Sequence, residues 1–409
     1  MNRFFLMAGL LMMTSHLCVS QNMWCDVDKQ IESAKQNGTF DQFLRQVKER
    51  EQNPTFHTRS EKSYQVVVHV VSRDFYQPIS KTQVIQQIDV LNSDFAGRGQ
   101  NIKNLLDEFK PLVANTGIKF CLATTDPDGH PTEGITYTLT DIPDIALLFE
   151  QGHRVIQYDE LGGKTGWDPT RYINIWLGEF GSFLGSASIP GMANYPEEIG
   201  VVIDIRAFGA LGNSSANGFY DRGHTLSHEM GHFFGLLHIW GGNTNTCDDS
   251  DEVEDTPNAA QPYYYCPSGQ QMSCGTSNMY QNFMDLTDDR CLAAFTLGQA
   301  ARMQATIDVY YPDLDVASCQ SVIQPFDPWW DELIWAYDYH SNQYVIYHPN
   351  GYADNIEIDV FSSDGRLMLH DAWGSNQSYR LDINVFPVGV YVVRVSDGEH
   401  EEVRKVVSY

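Results

Sequence analysis

Positive charge is what this sequence has least of. Its 409 residues carry 26 Lys and Arg against 53 Asp and Glu, a formal net charge of −27. A chain so acidic is repelled by nucleic acid and by anionic membrane surfaces, which excludes both as partners. Long hydrophobic runs are scarce too. Beyond the N-terminus no run approaches 18 apolar residues, so no membrane span is expected in the rest of the chain. Internal repeats and low-complexity tracts are absent. What is there is a globular composition, 42% hydrophobic and 19% charged, on a chain longer than one ordinary domain.

The N-terminus reads as a targeting segment. Arg3 supplies a positive start, and Phe4 to Met13 form an apolar stretch too short to span a bilayer. Cys18, Val19 and Ser20 predict cleavage after Ser20, giving a signal peptide over 1–20. Lipidation at Cys18 is disfavoured by the bulk of Leu17. Export makes the cysteines readable as disulfides. Of eight, Cys18 leaves with the signal, and Cys25 lies close to the new N-terminus. Cys121, Cys247, Cys266, Cys274, Cys291 and Cys319 remain. An even six beside one odd thiol makes Cys25 a candidate for a separate task, although it is equally compatible with pairing elsewhere.

Four regions follow the signal. Residues 21–62 are polar, with one helical pattern around Phe40, Phe43, Leu44 and Val47, and read as a pro-segment. Residues 63–320 begin with the β-branched run Gln65 to Val71, then a helix capped at Ser80 and ended by Gly97. Strands over Ile118 to Ala123, Tyr172 to Leu177 and Val201 to Ile203 complete an α+β catalytic domain. An aromatic linker over 321–334 leads to residues 335–409. There, short strands and the turns Asp364-Gly365 and Asp397-Gly398 predict a small all-β sandwich.

The strongest chemical signal is His228-Glu229-Met230-Gly231-His232, continued to Gly235 and His238. Two histidines four apart share one helix face and grip one ion. Glu229 lies too far round the helix to ligate with them and is placed as a general base. Gly235 lets the chain leave the helix in a conformation closed to other residues, which brings round His238. Three imidazoles with an open fourth position describe a catalytic zinc site, where a bound water is activated and a scissile carbonyl polarised.

This tract is similar to the metzincins, and its surroundings resemble the pappalysin family of metallopeptidases. The resemblance runs over residues 64–319. It rests on Asn282-Phe283-Met284-Asp285, Asp288-Asp289, Cys291, Phe295-Thr296, Gly298-Gln299 and Arg302-Met303. It implies a zincin fold, with a mixed sheet plus an active-site helix, and a secreted zinc endopeptidase acting on polypeptide substrates. Met284 would floor the metal in the Met-turn. Leu184 to Pro190 would be the edge strand that pairs with substrate. The family's interleaved crosslinks imply Cys247–Cys274 and Cys266–Cys291, leaving Cys121–Cys319. Its calcium site implies a second cation in the acidic loop, through Asp248, Asp251, Glu254, Asp255 and Thr256; a merely solvated loop is the other reading.

Latency fits the same resemblance. Cys25 or Asp26 would occupy the open zinc position until a cut near Thr58-Arg59-Ser60-Glu61. Two positions depart from the family. Leu286 stands where a tyrosine is usual and cannot donate a hydrogen bond. Arg290, before Cys291, stands where an acidic residue accompanies preference for Lys or Arg after the scissile bond. It is a candidate S1′ residue that would invert that preference, unless it faces solvent. The last 75 or so residues resemble type IX sorting domains. The matching features are His348-Pro349-Asn350-Gly351, Phe386 to Tyr391 and Arg404 to Val407. They imply the secretion machinery as a partner, export through a Gram-negative periplasm, and a secreted or cell-surface enzyme. A zinc-stabilised adhesin with little catalysis is the alternative.

Overall fold

The computed structural model describes residues 25, 27–53, 61–73, 79–142, 145–181, 183–209, 219–242, 245–314, 316–317, 333–338, 341–348, 356–374, 378–398 and 400–408. The signal peptide, Asp26, Thr58 to Ser60 and Cys319 lie outside these residues. In chain order the helices are α1 (Val27–Asn37), α2 (Thr39–Glu51), α3 (Lys81–Phe95), α4 (Ile145–Glu150), α5 (His224–Phe233) and α6 (Leu297–Tyr310). The strands of the first part are β1 (Lys62–Ser72), β2 (Ile118–Leu122), β3 (Ile135–Leu139), β4 (Ile173–Gly178), β5 (Gly185–Ala187) and β6 (Gly200–Asp204). Then come β7 (Met272–Ser273), β8 (Thr276–Ser277) and β9 (Val316–Ala317). The C-terminal part holds β10 (Ile334–Asp338), β11 (Gln343–Tyr347), β12 (Ile356–Ser362), β13 (Leu367–Trp373), β14 (Ser378–Leu381), β15 (Gly389–Ser396) and β16 (Glu401–Ser408).

The apolar run of β1 is continuous because both its faces are covered. Val66, Val68 and Val70 point into the main core with Leu226, Met230 and Phe234, whereas Val67 and Val71 meet separate clusters on the other face. β1 pairs in parallel with β2 and β3 on one side and with β4 on the other. Beyond β4 lies parallel β6, and antiparallel β5 closes that end of the mixed sheet. Helix α3 starts in a capping box, with the Gln83 amide N–H donating to Ser80 Oγ, and packs on α5.

Two features exceed the sequence reading. The segment expected to be a pro-segment contains two helices, not one. α1 buries Val27, Ile31 and Ala34, a stripe of only three residues, and α2 buries Phe40, Phe43 and Val47. All six belong to the same core as the sheet. Ion pairs fasten α2 to the domain, Arg50 to Asp308 at 2.7 Å and Glu51 to Arg302 at 2.6 Å.

The C-terminal sandwich, for its part, is not set apart from the catalytic sheet. One of its layers, β13-β12-β15-β16, is a separate sheet whose Ile358, Val393 and Val395 share a core with Ile346 and Leu381 of the other. The other, β14-β11-β10, continues the catalytic sheet, because β10 pairs in parallel with β3 through Ala336↔Tyr137.

Candidate metal centre

Helix α5 is buried along its whole length, so its polar side chains sit where burial is tolerated only with partners. His228 and His232 project from one face, and the helix ends at Phe234. Gly235 then adopts φ +85°, with Thr306 Oγ1 and the Phe43 ring so close that a Cβ would lie 2.5 and 2.9 Å from them. This turn delivers His238. Its Nε2 lies 3.2 Å from that of His232, which is in turn 3.1 Å from that of His228.

Such separations fit one ion. Tetrahedral zinc at about 2.0–2.1 Å from each nitrogen needs roughly 3.3 Å between them. The protonation pattern fits as well. Each Nδ1–H has an acceptor: the Phe283 carbonyl at 2.6 Å for His228, the Leu236 carbonyl at 2.8 Å for His232, and Asp28 Oδ1 at 2.7 Å for His238. That leaves each Nε2 lone pair directed at the common point. Burial pushes the imidazole of His228 down to about 3, helped by its neighbour His238, and holds His232 well below the usual histidine range. Both are therefore neutral ligands at any ordinary pH.

The fourth corner is filled by the chain itself. Cys25 groups with the three histidines, all four potential ligand atoms lying within 4.8 Å of one another. Its backbone bridges in parallel to Gly185, on β5, and its Sγ lies 3.6 Å from Glu229 Oε2. Glu229 is 1% exposed and packs so closely on Gly185 that a Cβ there would come within 2.6 Å of it. Gln30 adds hydrogen bonds to Ser186 Oγ and the Ala187 carbonyl. Cys25 and Gln30 thus lie along β5. Met284 is fully buried, with its Sδ 2.5 Å from where a Cβ on Gly231 would be, and so packs against the turn of α5 between the two ligands.

Other residues singled out in the sequence are placed as follows. Disulfides join Cys247 to Cys274 and Cys266 to Cys291. Cys121 is disulfide-bonded to a partner outside the described residues. Leu286 is buried within the main core. The Arg290 guanidinium is half exposed, lies 2.9 Å from Asp288 and sits over the Phe219 ring. In the acidic loop, the Thr256 hydroxyl donates to Asp251 and lies 2.8 Å from the Val253 carbonyl, which brings three oxygen types together. Burial pushes the Asp251 carboxyl up to about 7. Asp255 instead caps α6, accepting from Thr296 Oγ1 and the Gly298 amide. Asp248 and Glu254 are exposed. Two contacts of the site were not anticipated from sequence, Asp28 on His238 and the Trp240 ring stacked 4.3 Å from that imidazole.

Comparison with known proteins settles the family. A family profile described as pregnancy-associated plasma protein-A matches residues 158–308, and one for a secretion system C-terminal sorting domain matches 341–408. A promirolysin mutant from Tannerella forsythia is 32% identical with a TM-score of 0.64, covering 71% of this chain and 95% of that one. Mature mirolysin from the same organism, in complex with a cleaved peptide, is 35% identical with a TM-score of 0.58, covering 63% and 98%. The chain belongs to the pappalysin family of metallopeptidases. Among curated relatives, an extracellular metalloprotease of Arthroderma benhamiae is 43% identical over 97 residues, which are 23% of this chain and 32% of the relative. The chain thus spans about a third of that relative's length. One from Coccidioides posadasii is 27% identical over 58% of this chain and 74% of its own length. The family profile thus takes in β4, β5, β6 and α5, and the metal it implies is zinc.

Because the Gly235 turn both needs a positive φ and has no room for a Cβ, Gly235→Ala should lower stability by at least about 1–3 kcal/mol. It should also lower the zinc content of the purified protein, read by metal analysis beside a denaturant melt. Full zinc occupancy with unchanged stability would contradict this account of the turn.

Proposed function

We propose that this chain is a secreted zinc metalloendopeptidase made as a latent precursor. The observation that carries the reading is the convergence of His228, His232 and His238 on one point, with Glu229 alongside and the Cys25 thiol at the fourth corner. Zinc bound there supplies a Lewis acid for an attacking water and a peptide carbonyl. Glu229, held against Gly185, accepts the water's proton and returns it to the leaving amine. Once the pro-segment has left, the edge of β5 offers its main chain to an extended peptide. A cleaved peptide bound to mature mirolysin is in keeping with this role. Leu286 supplies no hydroxyl and so no hydrogen-bond donor for a developing oxyanion. Leu286 is the one feature that supports the adhesin alternative; the intact histidine set and Glu229 favour a slower enzyme instead.

Latency is assigned to Cys25, with Asp26 as its neighbour outside the described residues, and activation to a cut within 58–61. Domain limits of 21–62, 63–320, 321–334 and 335–409 are part of the same reading. The C-terminal sandwich is assigned to sorting through the periplasm of a Gram-negative cell. Protein trimmed of its pro-segment should cleave casein, lose this to a chelator and regain it with zinc. Glu229→Ala should remove it, and Cys25→Ala should let uncut precursor cleave. Absence of proteolysis from a folded, zinc-loaded, trimmed protein would overturn the reading.

Calcium is assigned to Asp251, the Val253 carbonyl and Thr256. Without a cation, the raised carboxyl of Asp251 penalises the folded state as pH climbs from about 4, where the unfolded group ionises, to about 7. Below that window both states are protonated and the penalty vanishes. Calcium should therefore raise the melting temperature more at pH 8 than at pH 4, and Asp251→Asn should abolish the difference. An equal shift at both pH values would remove the assignment.

Arg290 is assigned to the S1′ pocket on the family resemblance; in that role its guanidinium, half exposed and 2.9 Å from Asp288, would turn from that carboxylate towards an acidic or neutral residue after the scissile bond. Cleavage of a peptide library chiefly before Lys or Arg would contradict this.

A further inference from the structure

The three imidazoles are not anchored alike. His228 and His232 donate their Nδ1–H groups to carbonyls of the catalytic domain, Phe283 and Leu236. Both anchors survive any cut in the pro-segment. His238 donates instead to a carboxylate, Asp28 Oδ1 at 2.7 Å, from 210 residues away in the chain. Asp28 stands in the first turn of α1, three residues after Cys25, where a carboxylate is also favoured by the helix N-terminus. The imidazole it holds is 1% exposed and stacked on Trp240, so its ring plane is fixed from one side by the indole and its rotation about that plane by Asp28.

We propose that Asp28 is a positioning residue for the third metal ligand, and that through it the pro-segment tightens the protein's hold on zinc. A carboxylate on the far nitrogen of a metal-bound imidazole fixes its tautomer and raises its basicity. Loss of such a partner lowers metal affinity by roughly 10- to 100-fold. Departure of the pro-segment then does two things in one step. It would withdraw the Cys25 thiol from the site and strip His238 of its anionic partner, leaving two imidazoles anchored through Nδ1 and a third held by the Trp240 stack alone. The inference rests on the pro-segment and zinc readings above but does not need Cys25 to be the latency ligand.

The test uses full-length, zinc-loaded precursor mixed with excess chromophoric chelator, following zinc release over time. Asp28→Ala should release zinc at least about ten times faster than the parent. Glu51→Gln loosens the pro-segment at its far end, on Arg302, without touching His238, and should release zinc at the parent rate. With cobalt in place of zinc, the visible absorption of the metal should shift in Asp28→Ala and stay unchanged in Glu51→Gln. Parent-like release from Asp28→Ala would overturn the proposal. So would equal acceleration in Glu51→Gln, since the effect would then belong to pro-segment docking. Cys25→Ala serves as the separate arm for latency. If it leaves the uncut precursor inactive while Asp28→Ala still speeds release, the latency reading fails and the positioning role stands.

Discussion

Three imidazole lone pairs must meet at one point, and most of the molecule is arranged around that demand. A helix presents two ligands four residues apart on one face, but it cannot present a third without ending. The Gly235 turn ends it, in a space so filled by Thr306 and Phe43 that a side chain is excluded. Neutral, correctly protonated imidazoles are the second half of the demand. Burial disfavours the charged form at His228 and His232, and an acceptor on every Nδ1 turns every Nε2 inward. Met284, packed against Gly231, braces the helix between the two ligands.

The N-terminal helices α1 and α2, proposed above as the pro-segment, and the residues before them are part of this same construction. They place Cys25 beside the three histidines, Asp28 behind His238, Gln30 on β5, and Phe43 against the Gly235 turn. Their buried residues belong to the core that holds the sheet to α5. The apolar faces of α1 and α2, with ion pairs such as Glu51 to the buried Arg302, dock both helices onto that core, and it is this docking that the proposed latency would use.

The histidine cluster was legible because its spacing is local. The helix period fixes the relation of His228, Glu229 and His232, and only glycine suits the bend before His238. The β1 run and the Ser80 cap are local signals too, and the corresponding elements are present. Helix α1 was not legible. Its buried stripe is Val27, Ile31 and Ala34, too sparse to stand out from the surrounding polar residues, and it is stabilised by tertiary packing. Nor could Asp28 be matched to His238 across 210 residues, since nothing local distinguishes a carboxylate that will meet an imidazole from one that will meet water. The pairing of β10 with β3 is equally non-local, because parallel neighbours carry no turn between them to announce their register.

The most direct test is the zinc X-ray absorption spectrum of the intact precursor, compared with that of protein cut free of its pro-segment. The geometry predicts three nitrogen scatterers at about 2.0–2.1 Å in both, joined in the precursor by one sulfur at about 2.3 Å that is replaced by a lighter atom after the cut. A precursor spectrum without sulfur, or a cut protein with fewer than three imidazoles on the metal, would contradict the account of how this site is built and closed.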